Sequence, residues 1–568
     1  MIKFKHVHCL LFLLHFLNSA ATDIAQNYDS GRSRVATIMC NDETGIAAYN
    51  RKKITYAESK NLAEDLNLTE IVHYFGCKTV IGQSFMAQTL LCPVSTEDRD
   101  TILARRQNAI RLLVENSDLR QQVGTLLDKA QQEEQEVVKL MSEFFMGQSC
   151  PELANLELIK KENPWIYPLV NFLSKNPTGK TIGTSLALIG TLSNVAFTSY
   201  YGKAIYEGNY DSELIAWTTF FGLATAFDAY SQYKDYTQAS EKRNKIHALN
   251  QLISIAEAFE EICICNSIEA QFTLHAITNA DGLRLIEKIK HARYKDKNTL
   301  VFFTPAAHTF LYEIYQQDKY LSSLFACIAE MDVYHAIATK IVESQKQKNK
   351  ICFVSYLDNA KPTIQAEGFW SVLVENAVSN DLAGTKNILL TGPNAGGKST
   401  AIKALLQNIL LGQSFGVAAA EKFEFTMFDV IHSYLHISDD LINGLSLFAS
   451  EIKRAKEVLQ RINVLAPGKK FFFALDELFT GTVAEDGEKC AFSFVQKIAK
   501  FENVLFVYAT HFNKLKELGN NDGYCNNYKV DAPVKNSAGK LVYPFTLSMG
   551  ASQVNVALDM AREAGLFE

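Results

Sequence analysis

The chain has 568 residues, of which 48% are hydrophobic and 21% charged, with a formal net charge of −6. That length implies about two to four domains and enough apolar material for large cores. Mild acidity excludes a protein that coats nucleic acid generally, while leaving room for a local basic face.

Residues 1–21 read as a secretory signal or an apolar N-terminal helix. Lys3 and Lys5 give a basic start, 9–17 an apolar core, and Ser19-Ala20-Ala21 a small-residue exit. The core is interrupted by His15 and is too short to span a bilayer. From 22 to 180 the chain is expected to form the first part of a helical domain. Phe85-Met86-Ala87-Gln88-Thr89-Leu90-Leu91 carries apolar residues at helical spacing and is stopped by Cys92-Pro93. Ser95-Thr96-Glu97-Asp98 then reads as an N-cap with an acidic first turn. The next helix should run through Ile102, Ala109, Ile110 and Leu113 and end near Asn116.

Residues 181–230 form a hydrophobic hairpin. The stretch 182–201 has no charge and is long enough for a membrane span, and 214–227 is a second uncharged run of marginal length. A membrane pair within 182–227 and a buried soluble pair both fit. The flanks Lys175 and Lys180 on one side and Lys234, Lys242, Arg243 and Lys245 on the other would place both ends on the inner side. Residues 231–350 return to amphipathic helices, and 351–568 begin a different pattern. Eleven cysteines are spread thinly. Cys263-Ile264-Cys265 is too tight for a zinc clip; Cys40, Cys77, Cys92 and Cys150 could pair in an oxidising compartment, and buried free thiols are the favoured expectation.

The C-terminal part carries the chemistry. Ile388-Leu389-Leu390 is an apolar strand, followed by Thr391-Gly392-Pro393-Asn394-Ala395-Gly396-Gly397-Lys398-Ser399-Thr400 and then by a helical segment. This is the strand–loop–helix setting of G-x-x-x-x-G-K-[ST]. Glycines let backbone N–H groups turn inward around a polyphosphate, and the helix N-terminus adds its dipole. Lys398 would reach the outer phosphates, and the Ser399 hydroxyl would ligate Mg²⁺. ATP and Mg²⁺ are therefore the expected ligands, and no other metal site is expected.

Phe471-Phe472-Phe473-Ala474-Leu475-Asp476-Glu477 is an apolar strand ending in an acidic pair. Asp476 would hold Mg²⁺ and Glu477 would orient or deprotonate the attacking water. A third apolar strand, 504–508, leads to Thr510-His511, which places His511 where a γ-phosphate would lie. Ser446 opens a helix and could offer its hydroxyl to a phosphate, its own or a partner subunit's. An ATP-using domain belongs in a cytoplasm-like compartment. A cleaved signal combined with a hairpin crossing twice conflicts with that placement.

These residues resemble the MutS family of mismatch-repair ATPases. Residues 392–400 look like its phosphate loop. Asp439-Asp440-Leu441, Gly444 and Ser446-Leu447-Phe448…Glu451 look like its signature segment. Asp476-Glu477…Gly481-Thr482 resembles its acidic motif and Ala509-Thr510-His511-Phe512 its switch histidine. Upstream, Leu90-Leu91-Cys92-Pro93…Ile102…Arg105-Arg106…Ala109-Ile110 resembles the start of its helical core. The resemblance implies an α plus α/β protein: a helical core and lever interrupted by the hairpin, then a P-loop ABC-type ATPase. It also implies a homodimer in which Ser446 and Glu451 face the other subunit's ATP, and double-stranded DNA as partner.

The departures from the family pattern are specific. No mismatch-reading segment is visible, and the hairpin stands where lever arms should reach a DNA clamp. Leu478-Phe479-Thr480 lacks the usual glycine-arginine, and Ala377 stands where an adenine-stacking aromatic is common. Phe545 is the candidate replacement from the tail. Two functions are weighed: an ATP-dependent DNA-binding protein of mismatch repair, and a membrane-tethered MutS-like ATPase acting on another target.

Overall fold

The computed structural model describes residues 62, 65–145, 243–268, 280–291, 310–311, 314, 321–435, 446–464, 468–520, 523–537, 540–554, 556–563 and 566. The expected signal at 1–21, the hairpin at 181–230 and Asp439, Asp440, Leu441 and Gly444 lie outside them. Among the described residues no helix is long and apolar enough to cross a membrane.

The helical part contains α1 (Leu68–Phe75), α2 (Val80–Leu91), α3 (Ala104–Glu115), α4 (Ser117–Phe145) and α5 (Ser322–Ser344). α5 is its axis and packs against α2, α3 and α4. Phe325, Ile328, Val333 and Ile337 of α5 are fully buried. Each such side chain contributes about 1.5–3 kcal/mol relative to exposure.

The first expected helix begins earlier than its apolar spacing suggests. Thr79 caps α2, accepting from the Gly82 N–H. The buried Asp332 carboxylate of α5 accepts from the Lys78 and Thr79 N–H groups at 3.0 and 2.8 Å and from the Thr79 hydroxyl at 2.7 Å. Glu134 of α4 accepts from the Val80 N–H at 2.7 Å. Two carboxylates thus satisfy the orphan donors of one helix start. Farther along, Ser95 accepts from the Asp98 N–H, and a π-helical turn at Arg99–Leu103 leads into α3. Asn116 then ends α3 and caps α4, as the Leu119 N–H donates to its side chain.

The second part is built on a six-stranded sheet. Its strands are β4 (Asn387–Thr391), β6 (Val430–Tyr434), β7 (Phe471–Asp476), β8 (Val504–Ala509), β9 (Cys525–Val530) and β10 (Leu547–Met549). Their order is β10-β9-β4-β8-β7-β6. All neighbours are parallel except β9 and β10. A smaller sheet has the order β1 (Ser355–Tyr356), β5 (Lys422–Phe425), β2 (Ile364–Phe369), β3 (Asn380–Gly384).

β4, β7 and β8 are near-continuous apolar runs because helices cover both faces of the sheet. Ile388, Leu390, Phe472, Ala474 and Val507 face α6 (Lys398–Phe415) and join the core of the helical part. Leu389, Phe471, Phe473, Phe506 and Tyr508 face the other way, onto α7 (Leu447–Val464) and α8 (Ala484–Ile498). The side-chain alternation of parallel strands therefore makes two cores, one on each side of the sheet.

Candidate active site

Three neighbouring parallel strands end together. Across β4, β8 and β7 the register pairs Leu390 with Ala509 and Ala509 with Asp476. The segments that follow them are the glycine-rich loop 392–397, Thr510-His511 and Glu477. The expected loop, acidic pair and histidine thus meet at the C-terminal edge of one sheet, where open α/β sheets bind ligands.

The loop leaves β4 and enters α6, whose N-cap Gly397 is left-handed at φ 96°. Ala395 is also left-handed at φ 62°. Alternating left- and right-handed residues turn successive N–H groups to one side, which makes a concave nest for anions. Lys398 is buried, and its Nζ donates to the carbonyls of Gly392 at 3.2 Å and Pro393 at 3.4 Å and to the Asn394 side chain at 3.4 Å. Ser399 and Thr400 are exposed in the first turn of α6, and Asn394 and Ala395 are exposed on the loop.

Lys398 Nζ also lies 3.4 Å from Glu477 Oε1, and His511 Nδ1 lies 3.8 Å from the same oxygen. The nearby His511 ring, together with the Lys398 charge, holds the Glu477 carboxyl below its usual range. Lysine, glutamate and histidine thus face one another. Glu477 itself is left-handed at φ 47° and Phe479 at φ 72°. That turn is held from beneath by the buried Tyr508, whose hydroxyl donates to the Leu478 carbonyl at 2.8 Å.

The signature residues separate. Ser446 is exposed at the head of α7, where its hydroxyl accepts from the Ala449 N–H. Glu451 turns inward and is buried. Its carboxylate accepts from the Thr480 N–H at 3.0 Å and the Gly481 N–H at 3.1 Å. In this chain, then, Glu451 ties α7 to the turn behind Asp476-Glu477, whereas Ser446 remains open to a partner.

Phe545 lies over the glycine-rich loop. It is 46% exposed, and a Cβ on Gly397 would stand 3.1 Å from its ring, so only glycine leaves the ring this close. Tyr543 stacks beside it, with centroids 6.0 Å apart and planes inclined by 23°. Asn380 holds that strand through the Phe545 carbonyl (3.1 Å) and the Leu547 N–H (2.6 Å). Ala377 is buried instead, its carbonyl taken by Asn349. Tyr508, Asn380 and Thr391 escaped the sequence reading. Thr391 accepts from the Ser552 N–H at 2.8 Å and so pins the tail against the loop. Only the position of Thr391, immediately before Gly392, hinted at this.

The donor set suits a magnesium nucleotide. An anion nest, a hydroxyl at Ser399 and a carboxylate at Asp476 on β7, one strand beyond β8, are hard oxygen and N–H groups. Among the described residues no group of three or more His, Cys, Asp or Glu forms a metal cage. A site of this kind leaves most of the ion's ligands to phosphate and water.

Residues 388–568 match the family model of MutS domain V. The DNA mismatch repair protein MutS of Lactobacillus helveticus (strain DPC 4571) is 25% identical over 346 residues, which are 58% of this chain and 39% of that protein. The proteins of the same name from Streptococcus uberis (strain ATCC BAA-854 / 0140J) and Streptococcus pyogenes serotype M1 are 27% and 28% identical, each over 43% of this chain and 28% of their own length. The matches thus span well under half of the relatives' length.

Proposed function

We propose that this chain is a MutS-family protein, a magnesium-dependent ATPase that works as a homodimer on double-stranded DNA, in the mismatch-repair role its relatives' name states. The observation that carries the ATPase reading is the convergence of the glycine-rich loop, Glu477 and His511 at the ends of β4, β7 and β8.

In this reading the N–H groups of Gly392, Asn394, Ala395, Gly396 and Gly397 are the source of the phosphate nest, and Pro393, which has no N–H, sets the turn between them. Lys398 leaves Glu477 to meet the outer phosphates. Ser399, Thr400 and Asp476 line the ion's side of the site, with Ser399 and Asp476 as its protein ligands. Bound Mg²⁺ neutralises charge on the phosphates. Released from Lys398, Glu477 orients the attacking water and accepts its proton, while His511 senses the γ-phosphate. Phe545 takes the stacking place that Ala377 leaves empty. Ser446, exposed at the N-terminus of α7, completes the partner's site, which makes closure of the dimer depend on ATP. The helical part then carries that closure to DNA as a lever.

The test is affinity for ATP with and without Mg²⁺. Lys398→Ala is expected to lose binding, and wild type to retain it. A wild-type protein with no affinity for Mg·ATP would end the reading.

A further inference from the structure

α6 is fixed at both ends. Its N-terminus is the glycine-rich loop. At its C-terminus, the carbonyls that an isolated helix leaves open are taken up by residues of the helical part. The Val94 N–H donates to the Gln413 carbonyl at 2.9 Å. The Arg106 guanidinium of α3 donates to the Ser414 carbonyl. Gln107 Nε2 donates to the Gly416 carbonyl at 2.8 Å and to Val354 at 3.0 Å. Gly416 is a left-handed C-cap at φ 73°, and a Cβ there would overlap the Gln107 side chain.

Arg106 is fully buried, lies over the Phe415 ring at 5.7 Å, and its charge acts on the Tyr334 hydroxyl of α5. The Tyr334 hydroxyl in turn donates to Glu330 at 2.5 Å. A buried cation at a helix C-terminus complements the dipole whose other end faces the nest. Surface capping needs no such burial. The arrangement joins one end of α6 to α3 through hydrogen bonds from Arg106 and Gln107.

We infer that Arg106 and Gln107 are positioning residues for the triphosphate site, acting through α6. This rests on the reading of 392–400 as that site. α6 has 18 residues, about 27 Å at 1.5 Å per residue. A helix clamped by its terminal carbonyls transmits axial displacement with little loss. A shift of Lys398 toward bound phosphate therefore moves the α3 socket, and a shift of α3 alters the grip on phosphate. By linkage the two effects are equal in free energy.

The experiment uses the full chain with Mg·ATP. Equilibrium affinity and melting temperature are measured for wild type, Gln107→Ala and Arg106→Lys, together with amide exchange across 92–107 with and without nucleotide. Gln107 is only half-buried, so its truncation spares the core. The expected result is Mg·ATP binding at least about fivefold weaker in Gln107→Ala, the low end of typical coupling energies. Mg·ATP should also change the exchange of Val94 and its neighbours in wild type, and change it less in both variants. A purely structural clamp would leave wild-type exchange at 92–107 indifferent to ATP. Overturning results are that indifference in a wild type that binds Mg·ATP, or wild-type affinity in a folded Gln107→Ala. If wild type binds no Mg·ATP at all, the site reading itself falls, and the inference falls with it.

Discussion

Replacing Glu477 with glutamine separates two consequences of one carboxylate. The carboxylate stands 3.4 Å from Lys398 Nζ. Unit charges at that distance attract by about 5 kcal/mol at an effective dielectric of about 20. Glu477 is 36% exposed, so solvent screens the pair toward the ~0.2–1 kcal/mol of exposed ion pairs. A net latch of about 1 kcal/mol follows, and triphosphate must break it to recruit Lys398. Glu477→Gln removes the latch and also a negative charge facing the γ-phosphate. Both changes favour binding, so Mg·ATP should bind about fivefold more tightly. Hydrolysis should fall by about 10²–10⁴, the range of a lost general base. The assay is equilibrium binding of Mg·ATP at two ionic strengths beside single-turnover hydrolysis, with the binding gain shrinking in high salt. A variant that binds more weakly than wild type would refute the latch, and one that hydrolyses at the normal rate would refute the role of Glu477.

Three further outcomes are expected. Phe545→Ala should weaken Mg·ATP binding about tenfold by removing one base–aromatic stack, while leaving affinity for magnesium tripolyphosphate unchanged; equal losses for both would remove Phe545 from the base site. Asp332→Asn sets amide hydrogens against the Lys78 and Thr79 donors and should cost about 2–3 kcal/mol, read as a lower urea midpoint. Burial lowers His432 from 6.5 to about 4, so the unfolded chain takes up the proton first and stability is lost as pH falls from 6.5 toward 4. His432→Phe, which keeps the stack on Phe473, should flatten that loss in melts across the same window.

What was legible in the sequence was what short spacing controls. The loop 392–400 sits between an apolar strand and a helix in the chain itself, and the apolar runs before Asp476 and His511 mark strands covered on both faces. Their meeting at one sheet edge follows from parallel topology. What escaped was set by partners far along the chain. The start of α2 depends on Asp332, 253 residues from Thr79. Glu451 belongs to a motif that resembles a partner-facing segment, yet its carboxylate is taken by the N–H groups of Thr480 and Gly481. Arg106 stands in a stretch whose pattern resembles the family's helical core, which says nothing of its burial; it is fully buried, its guanidinium donating to the Ser414 carbonyl near the end of α6.

The departure at Phe479 has a physical logic of its own. A left-handed backbone costs a non-glycine residue roughly 1–3 kcal/mol when its surroundings enforce it, and glycine there would avoid that cost. Phe479 nonetheless holds φ 72° with its ring buried edge-on against Phe448 of α7 and Phe494 of α8. Edge-to-face pairs contribute about 0.5–1.5 kcal/mol each beyond the area they bury, so the two contacts and the buried ring offset the backbone strain. Glycine would relax the turn and leave a void between α7 and α8. Phenylalanine instead fixes Glu477 from behind, with the Tyr508 hydroxyl on Leu478 and the Glu451 carboxylate on Thr480 and Gly481 closing the same turn. The acidic end of the site is thereby rigid, and it is coupled directly to the helix that begins at Ser446. The open side of the site is lined instead by the exposed loop residues Asn394 and Ala395 and the half-exposed ring of Phe545.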